Sequence, residues 1–244
     1  MKLKAPESVF SSASFCPGCG HGLASRLLGE CAEELGVQHD LVTIVDVACC
    51  SFNIDYWKFD TIMSAHGRDI PTAVGVKHIR PDSTVVTYMG DGAAYAIGMA
   101  ETIHSALRND NVTVIVINNS LFGMTGGQMA PTTLPGERTA TSPKGKDPSR
   151  YGTLSGVELL KNMDIAYLAR GELVGSAGIV NAKKMLKKAL QHQLNGDGFS
   201  LVELLSPCPT NLNLPPVKAK DFVHNEMAKY FPLGEFVDKG GKLG

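Results

Sequence analysis

A doubly wound, mostly parallel α/β sheet flanked by helices is the fold that this sequence predicts. Two observations predict it. Short, nearly continuous apolar runs rich in β-branched residues recur along the chain, as strands buried on both faces require. Helical patterns lie between these runs, and strands alternating with helices build parallel sheets. A length of 244 residues is enough for one large domain of this kind.

In chain order, "HGLASRLLGECAEELG" (21–36) reads as a helix and "LVTIVDV" (41–47) as the first strand. "TVVTYM" (84–89) is the second strand, followed by a helical "AIGMAETIHSALRN" (96–109). "VTVIVIN" (112–118) is the third strand and "DIAYLA" (164–169) the fourth. "VNAKKMLKKALQHQLN" (180–195) is a helix with basic residues suited to a helix C-terminus, and "SLVELL" (200–205) is the fifth strand. Two regions break the alternation. Residues 123–151 are rich in Gly, Pro, Thr, Ser and Lys and show no period. Loops of that length in a compact domain are functional or disordered. From Asn211 onward the chain has aromatic residues but no strand pattern. The expected organisation is one domain over 1–210 and an arm, 211–244, packed on the domain or on a partner.

Composition narrows the function. Apolar residues make up 43% of the chain and charged residues 19%, with a net charge of −1, so nothing points to nucleic acid or to an anionic membrane. No apolar run reaches the roughly 20 residues of a membrane span, and "MKLKAPESVF" lacks the apolar core of a signal peptide. A cytoplasmic protein is expected. Six cysteines in that compartment indicate metal or redox chemistry rather than structural disulfides.

Chemistry-bearing residues gather where strands end. The second strand runs into "GDGAAYAIG", placing Asp91 between Gly90 and Gly92. Ligands of open parallel sheets bind beyond the carboxyl ends of strands, and a following helix start offers N–H groups to a phosphate. After 25 further residues, one helix and one strand, come Asn118 and Asn119 and then "SLFGMTGGQ". A carboxylate and a side-chain amide from neighbouring strand ends are hard oxygen ligands, which suit Mg²⁺ carrying phosphate oxygens.

The cysteines lie at the same edge. "FCPGCGHG" cannot be a regular helix or strand interior, and its Cys16 and Cys19 can converge on one centre. Cys49 and Cys50 follow the first strand and Cys208 the last. On residues alone, a redox dithiol, a Zn²⁺ site, an iron–sulfur cluster and unligated thiols all stay open. Cys31 sits in an apolar helical pattern as a small buried side chain. His21 either caps the following helix or stands between the cysteines and the phosphate site. His66 and Arg68 are turn residues or contacts to a diphosphate or substrate. His39, His78, His104, His192 and His224 show no convergent partner.

"GDG", about 25 residues and then "NN" resembles the thiamine diphosphate motif. With "CPGCG", "HGR", "GMTGGQMAPTT" and "SPCPT", the stretch from Cys16 to Thr210 resembles the β subunit of the 2-oxoacid:ferredoxin oxidoreductases. The resemblance implies that Asp91, the side chain of Asn119 and the carbonyl of Leu121 ligate Mg²⁺. Gly90, Gly92, Gly123, Thr125, Ser51 and His66 would complete the thiamine diphosphate site. Cys16, Cys19, Cys50 and Cys208 would ligate one [4Fe-4S] cluster. Cys50 is preferred because the family has a single Cys before Ser; Cys49, where the family often has Gly, is the understudy. The implied reaction is oxidative decarboxylation of a 2-oxoacid, with electrons passing to ferredoxin and the acyl group to coenzyme A. The activating glutamate would come from an α subunit, with γ and δ subunits where present; residues 123–150 and the tail are the expected α contacts. "MAPTTLPGERTATSPKGKD" resembles members acting on branched-chain 2-oxoacids, with 2-oxoglutarate enzymes close behind. Two other readings are a non-redox thiamine decarboxylase or carboligase subunit with a Zn²⁺ site, and a phosphate-binding module without turnover.

Overall fold

The computed structural model describes residues 5–10 and 12–240. Its elements are α1 (His21–Leu35), β1 (Leu41–Val45), β2 (Asp60–Met63), α2 (Asp69–Ile79), β3 (Thr84–Gly90), α3 (Met99–Arg108), β4 (Thr113–Asn118), β5 (Leu121–Phe122), β6 (Gln128–Met129), α4 (Gly156–Leu160), β7 (Tyr167–Glu172), α5 (Gly175–Asn195), β8 (Ser200–Leu205), α6 (Pro209–Leu212), α7 (Pro216–Phe222), α8 (Ala228–Tyr230) and β9 (Gly234–Asp238). Seven strands form one sheet in the order β2-β1-β3-β4-β8-β7-β9, parallel except for β9 against β7. The doubly wound reading holds.

Both faces of the sheet are covered, which is why its inner strands read as continuous apolar runs. On one face, α1 and α5 bring Leu27, Leu28, Leu186 and Leu190 onto Val45, Tyr88, Ile115, Ile117, Val202 and Leu204. On the other, α2 and α3 pack Ile70, Ala73 and Ala106 against Ile44, Val85, Val114, Val116 and Leu201. Each Val, Leu or Ile among them contributes about 1.5–3 kcal/mol on burial. Helix α1 stops at Gly36, whose left-handed φ of 72° lets its N–H reach the carbonyls of Ala32 and Glu33.

Three elements depart from expectation. The fourth run forms its strand over Tyr167–Glu172, three residues later than its apolar letters, because Arg170 and Glu172 are buried in it. Strand β2 is a short edge strand whose residues are mostly solvent-facing, so no apolar run announces it. The tail was expected without a strand, yet it supplies β9. Its aromatics are not free either: Phe231 is fully buried with Val223, Met227, Leu134 and Leu205. The tail therefore packs on the domain's own surface.

Register fixes where the site lies. Gly90 aligns with Ile117, Asn118 with Leu205, and Leu205 with Glu172. Val45 aligns with Tyr88 and with Met63. The residues just beyond these strands, Asp46, Ser64 to His66, Asp91, Asn119 and Ser206 to Cys208, all leave the sheet at one edge.

Candidate functional site

At that edge a single cavity is lined by His21, Asp46, Cys49, Cys50, His66, Gly90, Asp91, Gly92, Asn119, Leu121, Phe122, Gly123 and Met124. It unites most of the residues singled out from the sequence. The carboxylate of Asp91 is 1% exposed, and burial pushes its acid up to about 7. The hydroxyl of Thr132 donates to its Oδ2. A buried carboxylate in this state is a poor anion on its own and a good partner for a cation. Its neighbour Asn119 is 7% exposed, with its Oδ1 accepting from the Leu121 N–H at 3.3 Å. Beyond Gly92 the chain makes a π-helical turn, Ala93–Ile97, before α3. Such turns recur at functional sites. A Cβ at Gly92 would lie 2.2 Å from the Phe122 ring, so the backbone there admits no side chain.

The loop after Asn119 is held tightly. Ser120 adopts a left-handed φ of 63°, uncommon outside glycine. Its N–H donates to Asn118 Oδ1 at 3.0 Å, and Asn118 Nδ2 donates to Glu203 Oε1 at 3.0 Å. Glu203 is fully buried and also receives Arg170 Nε at 2.9 Å and the Tyr95 hydroxyl at 2.7 Å. Arg170 bonds Glu158 as well and lies under the rings of Phe231 and Phe236, at 5.3 and 5.8 Å. The anion behind the site is thus tied to the C-terminal arm.

The segment 123–151 is not an open loop. Strands β5 and β6 close a small hairpin, which leaves Met124 to Gly127 at its tip. Behind it Glu137 Oε1 lies 2.6 Å from Ser120 Oγ, and its Oε2 accepts from the Leu134 N–H at 2.8 Å. Lys146, 2% exposed, donates to the Thr133 carbonyl at 2.7 Å and to Thr153 Oγ1 at 2.9 Å. These polar contacts order a stretch that lacks an apolar period.

His66 enters the cavity while Arg68 does not. His66 Nδ1 lies 2.7 Å from Asp46 Oδ1, and its ring stands 6.1 Å from that of Phe122. Asp46 is fully buried, and among the described residues its Oδ2 has no hydrogen-bond partner. Arg68 instead pairs with Glu101 at 2.6 Å. His21 opens α1 without capping it. Its Nδ1 lies 3.2 Å from the Tyr88 hydroxyl and its ring stacks on Phe15. Burial lowers its pKa to about 4, so it is neutral. Ser51 bonds the Ala48 carbonyl within its own 3₁₀ turn, outside the cavity lining. Thr125 bonds Gln128 Oε1 at 2.6 Å, at the cavity mouth with Val47, Phe122 and Met124. Two histidines for which the sequence shows no partner have carboxylates: His192 lies between Asp197 and Asp238, and His224 beside Glu172.

Cys49 and Cys50 form part of the cavity's wall, while Cys16, Cys19 and Cys208 lie outside its lining, beside Cys49. Burial pushes the Cys19 thiol up to about 12, with Cys208, Cys49 and Cys16 adding to the rise. Cys49 is pushed up to about 11 by burial and then by Cys208 and Cys16. Cys50, 1% exposed, sits in the apolar core. Among the described residues, no three His, Cys, Asp or Glu side chains already form a closed metal-binding group. Thiols that raise one another's pKa nonetheless suit a thiolate-ligated metal centre, which removes their protons. The residues around Asp91 likewise suit Mg²⁺ and a diphosphate.

Three residues escaped the sequence reading: Asp46, Thr132 and Glu203. Asp46 carried a signal, a charge closing the apolar run "TIVDV". Thr132 lay in the quoted "APTT" with nothing to link it to Asp91. Glu203 was hidden inside a strand.

The α/β sheet with a cavity at its carboxyl strand ends belongs to a class, the thiamine diphosphate-binding domains. Residues 46–204 match the family "Thiamine pyrophosphate enzyme, C-terminal TPP binding domain". A ketoisovalerate oxidoreductase subunit VorA of Methanothermobacter thermautotrophicus is 41% identical over 96% of this chain, which spans 50% of that relative's length. A 2-oxoglutarate synthase subunit KorB of Methanocaldococcus jannaschii is 34% identical over 92% of this chain and 87% of its own. The 2-oxoglutarate:ferredoxin oxidoreductase of Magnetococcus marinus, solved with 2-oxoglutarate, coenzyme A and succinyl-CoA bound, shares the fold over 98% of this chain and 86% of its own (TM-score 0.79, 22% identity). The chain belongs to the thiamine diphosphate-binding subunits of the 2-oxoacid oxidoreductase family.

Proposed function

We propose that this chain is the thiamine diphosphate-binding β subunit of a 2-oxoacid:ferredoxin oxidoreductase that releases CO₂ and forms an acyl-CoA. One observation carries the reading: the buried Asp91 and the thiols Cys49 and Cys50 line the same cavity. A bare phosphate module has no use for thiols there, and a non-redox thiamine enzyme would use them only to hold Zn²⁺.

Asp91, Asn119 Oδ1 and the Leu121 carbonyl would hold Mg²⁺, with the diphosphate against Gly90 to Gly92. Cys16, Cys19, Cys208 and one thiol of the Cys49–Cys50 pair would hold a [4Fe-4S] cluster. When bound, thiamine diphosphate supplies the electron sink for decarboxylation and the cluster accepts electrons one at a time. The chain's own residues do the rest. Thr132 occupies one oxygen of Asp91 and so leaves the other for the cation. Asp46 fixes the ring of His66 through Nδ1, which turns Nε2 away from that carboxylate. Neutral His21 lines the cavity with the Phe15 ring stacked on it.

The mouth of the cavity favours a branched-chain 2-oxoacid. Val47, Phe122 and Met124 line it, and Arg68 is engaged with Glu101. A second substrate carboxylate would find no free cation among these residues. The partner α subunit would supply the activating glutamate, and ferredoxin would take the electrons. The test is a panel of 2-oxoacids assayed anaerobically with coenzyme A and a low-potential dye. The expected result is a brown protein whose activity requires Mg²⁺, thiamine diphosphate and the co-purified partner, with 2-oxoisovalerate ahead of 2-oxoglutarate. A colourless zinc protein that decarboxylates without reducing the dye would replace this reading with the non-redox one.

A further inference from the structure

Among the described residues Cys16 is the exposed cysteine, and Cys208 beside it is buried. The turn after Cys16 is held against the tail. A Cβ built on Gly18 would lie 2.6 Å from Pro216 Cβ and 3.4 Å from Pro209 Cγ. Pro216 opens α7, whose next residues include the exposed Lys218 and Lys220. Lys218 faces Asp221 at 3.6 Å, with both side chains more than half exposed. Lys220 has no ion pair among the described residues.

A second basic element borders the same cysteines. Residues 136–146 close on themselves: the Gly136 N–H donates to the Lys146 carbonyl at 2.8 Å, the Lys146 N–H to the Glu137 carbonyl at 2.9 Å, and Thr139 pairs with Ser142. The buried Lys146 ammonium anchors this turn on Thr133 and Thr153. Arg138 and Lys144 lie on its two arms between those pairings, exposed and without an ion pair among the described residues. The tip rests on the glycine hairpin. There the Ala140 N–H donates to the Gly127 carbonyl at 2.8 Å, and the Met129 N–H to Thr141 Oγ1 at 2.9 Å. Gly127 in turn abuts Asn211, whose amide lies 3.6 Å from Cys208 Sγ.

The whole chain has a net charge of −1. Residues 136–150 and α7 depart from it: their exposed charges are the cations Arg138, Lys144, Arg150, Lys218 and Lys220 against the carboxylates Asp147 and Asp221. Residues 136–150 have no large apolar side chain, and α7 exposes one, Val217. Permanent subunit interfaces are apolar, whereas small charged surfaces suit partners that dock briefly and leave. Complementary charge steers such a partner and fixes its orientation.

We propose that Arg138, Lys144, Lys218 and Lys220 form the docking surface for an acidic one-electron carrier protein, seated over the exposed Cys16. This rests on the reading of the cysteines as the electron-transfer site of a 2-oxoacid:ferredoxin oxidoreductase, and ferredoxin is the carrier class. Conversion of one 2-oxoacid anion and one coenzyme A thiol to acyl-CoA and CO₂ releases two electrons and one proton. Two oxidised carriers dock in turn and take one electron each, and the proton goes to solvent.

The test uses the complex co-purified anaerobically with its partner. The variants are Arg138→Glu with Lys144→Glu, Lys218→Glu with Lys220→Glu, and Lys184→Glu as a remote control on α5. Turnover is read with a small low-potential dye and with an acidic ferredoxin. Titration calorimetry reads binding of the oxidised ferredoxin at low and high salt, and circular dichroism melts verify folding. In both paired variants the KM for ferredoxin should rise at least about tenfold at low salt, with calorimetric affinity falling to match. The dye rate and the KM values for 2-oxoacid and coenzyme A should stay at the wild-type level, and Lys184→Glu should match wild type throughout. Added salt should weaken ferredoxin binding to the wild type more than to the paired variants. Unchanged ferredoxin affinity in either folded pair would overturn the proposal. Loss of the co-purified partner from a folded variant would make the surface a subunit contact, and a raised KM for coenzyme A with the dye would make it a phosphate site; either result overturns it as well. A wild type that reduces neither dye nor ferredoxin would overturn the underlying oxidoreductase reading, while calorimetry still decides the surface.

Discussion

The oxygen side of the cavity and its sulfur side share one sheet edge but are built in opposite ways. Around Asp91 the chain supplies its own partners: Thr132 for the carboxylate, Leu121 N–H for Asn119, Ser120 for Asn118, and Glu137 and Glu203 behind them. Around the cysteines it supplies little beyond the Asn211 amide and a turn that closes Cys19 N–H on the Cys16 carbonyl at 3.0 Å. The first side is finished by folding. The second is a set of thiols that hinder one another's ionisation, and a bound metal would resolve it. Substitutions on the oxygen side should therefore separate into those that remove the cation and those that loosen its frame.

The largest effect is expected from Asp91→Ala. Titration calorimetry with Mg²⁺ and thiamine diphosphate should show affinity lowered by at least about 100-fold, since a charge-bearing metal ligand is lost. The unliganded variant should melt no lower than wild type, because the carboxylate it removes is buried and poorly ionised. Undiminished cofactor retention would displace the cation from Asp91 altogether.

Next comes Glu203→Ala. It leaves Arg170 buried with Glu158 as its remaining carboxylate and frees Asn118 and Tyr95. Breaking a buried ion pair from one side costs about 3–5 kcal/mol, which urea unfolding will resolve. A loss below about 1 kcal/mol would mean that the frame does not depend on this anion. Thr132→Val is gentler. It removes one hydrogen bond to a charged group, worth about 1.5–3 kcal/mol, so cofactor affinity should fall about tenfold or more and return in Thr132→Ser. Equal affinity in valine and serine variants would reduce Thr132 to packing.

The same contrast explains what the sequence disclosed. Asp91, Asn119 and the cysteines were legible because strand ends carry them and the strands announce themselves through apolar letters. Strand β7 was misplaced because Arg170 and Glu172 are charges buried by partners far away in sequence, and no local pattern encodes that pairing. Strands β2 and β9 lie at the two sheet edges, where partial exposure erases the apolar run. The stretch 123–151 looked structureless because hydrogen bonds such as Lys146 to Thr133 and Glu137 to Ser120 order it instead of apolar contacts. Composition marks it as loop, and only the fold reveals it as a packed frame.

The smallest effect sharpens the contrast most, because it tests whether the frame is a neutral network. Burial pushes the Glu137 acid up to about 7, above its ordinary 4.5. The native state then holds a proton that the unfolded chain has released, so stability falls as pH rises from about 4.5 through about 7. The full difference approaches about 3 kcal/mol. Ser120 Oγ lies 2.7 Å from the Asn119 carbonyl as well as 2.6 Å from Glu137, and one hydroxyl hydrogen cannot serve both. A protonated Glu137 resolves this by donating to Ser120 Oγ while Ser120 donates to Asn119. Glu137→Gln reproduces that pattern with an amide: its NH₂ group donates to Ser120 and its oxygen accepts from the Leu134 N–H. The variant should match wild type near pH 5 and exceed it in stability near pH 8, measured by urea midpoints without Mg²⁺ or thiamine diphosphate. Asp69 and Asp91, with acids raised to about 8 and about 7, and His21, lowered to about 4, titrate in both proteins. Their contributions cancel in the difference. Parallel pH curves for the two proteins would show that Glu137 is ionised in the fold, and that the frame around Asn119 is held by charge after all.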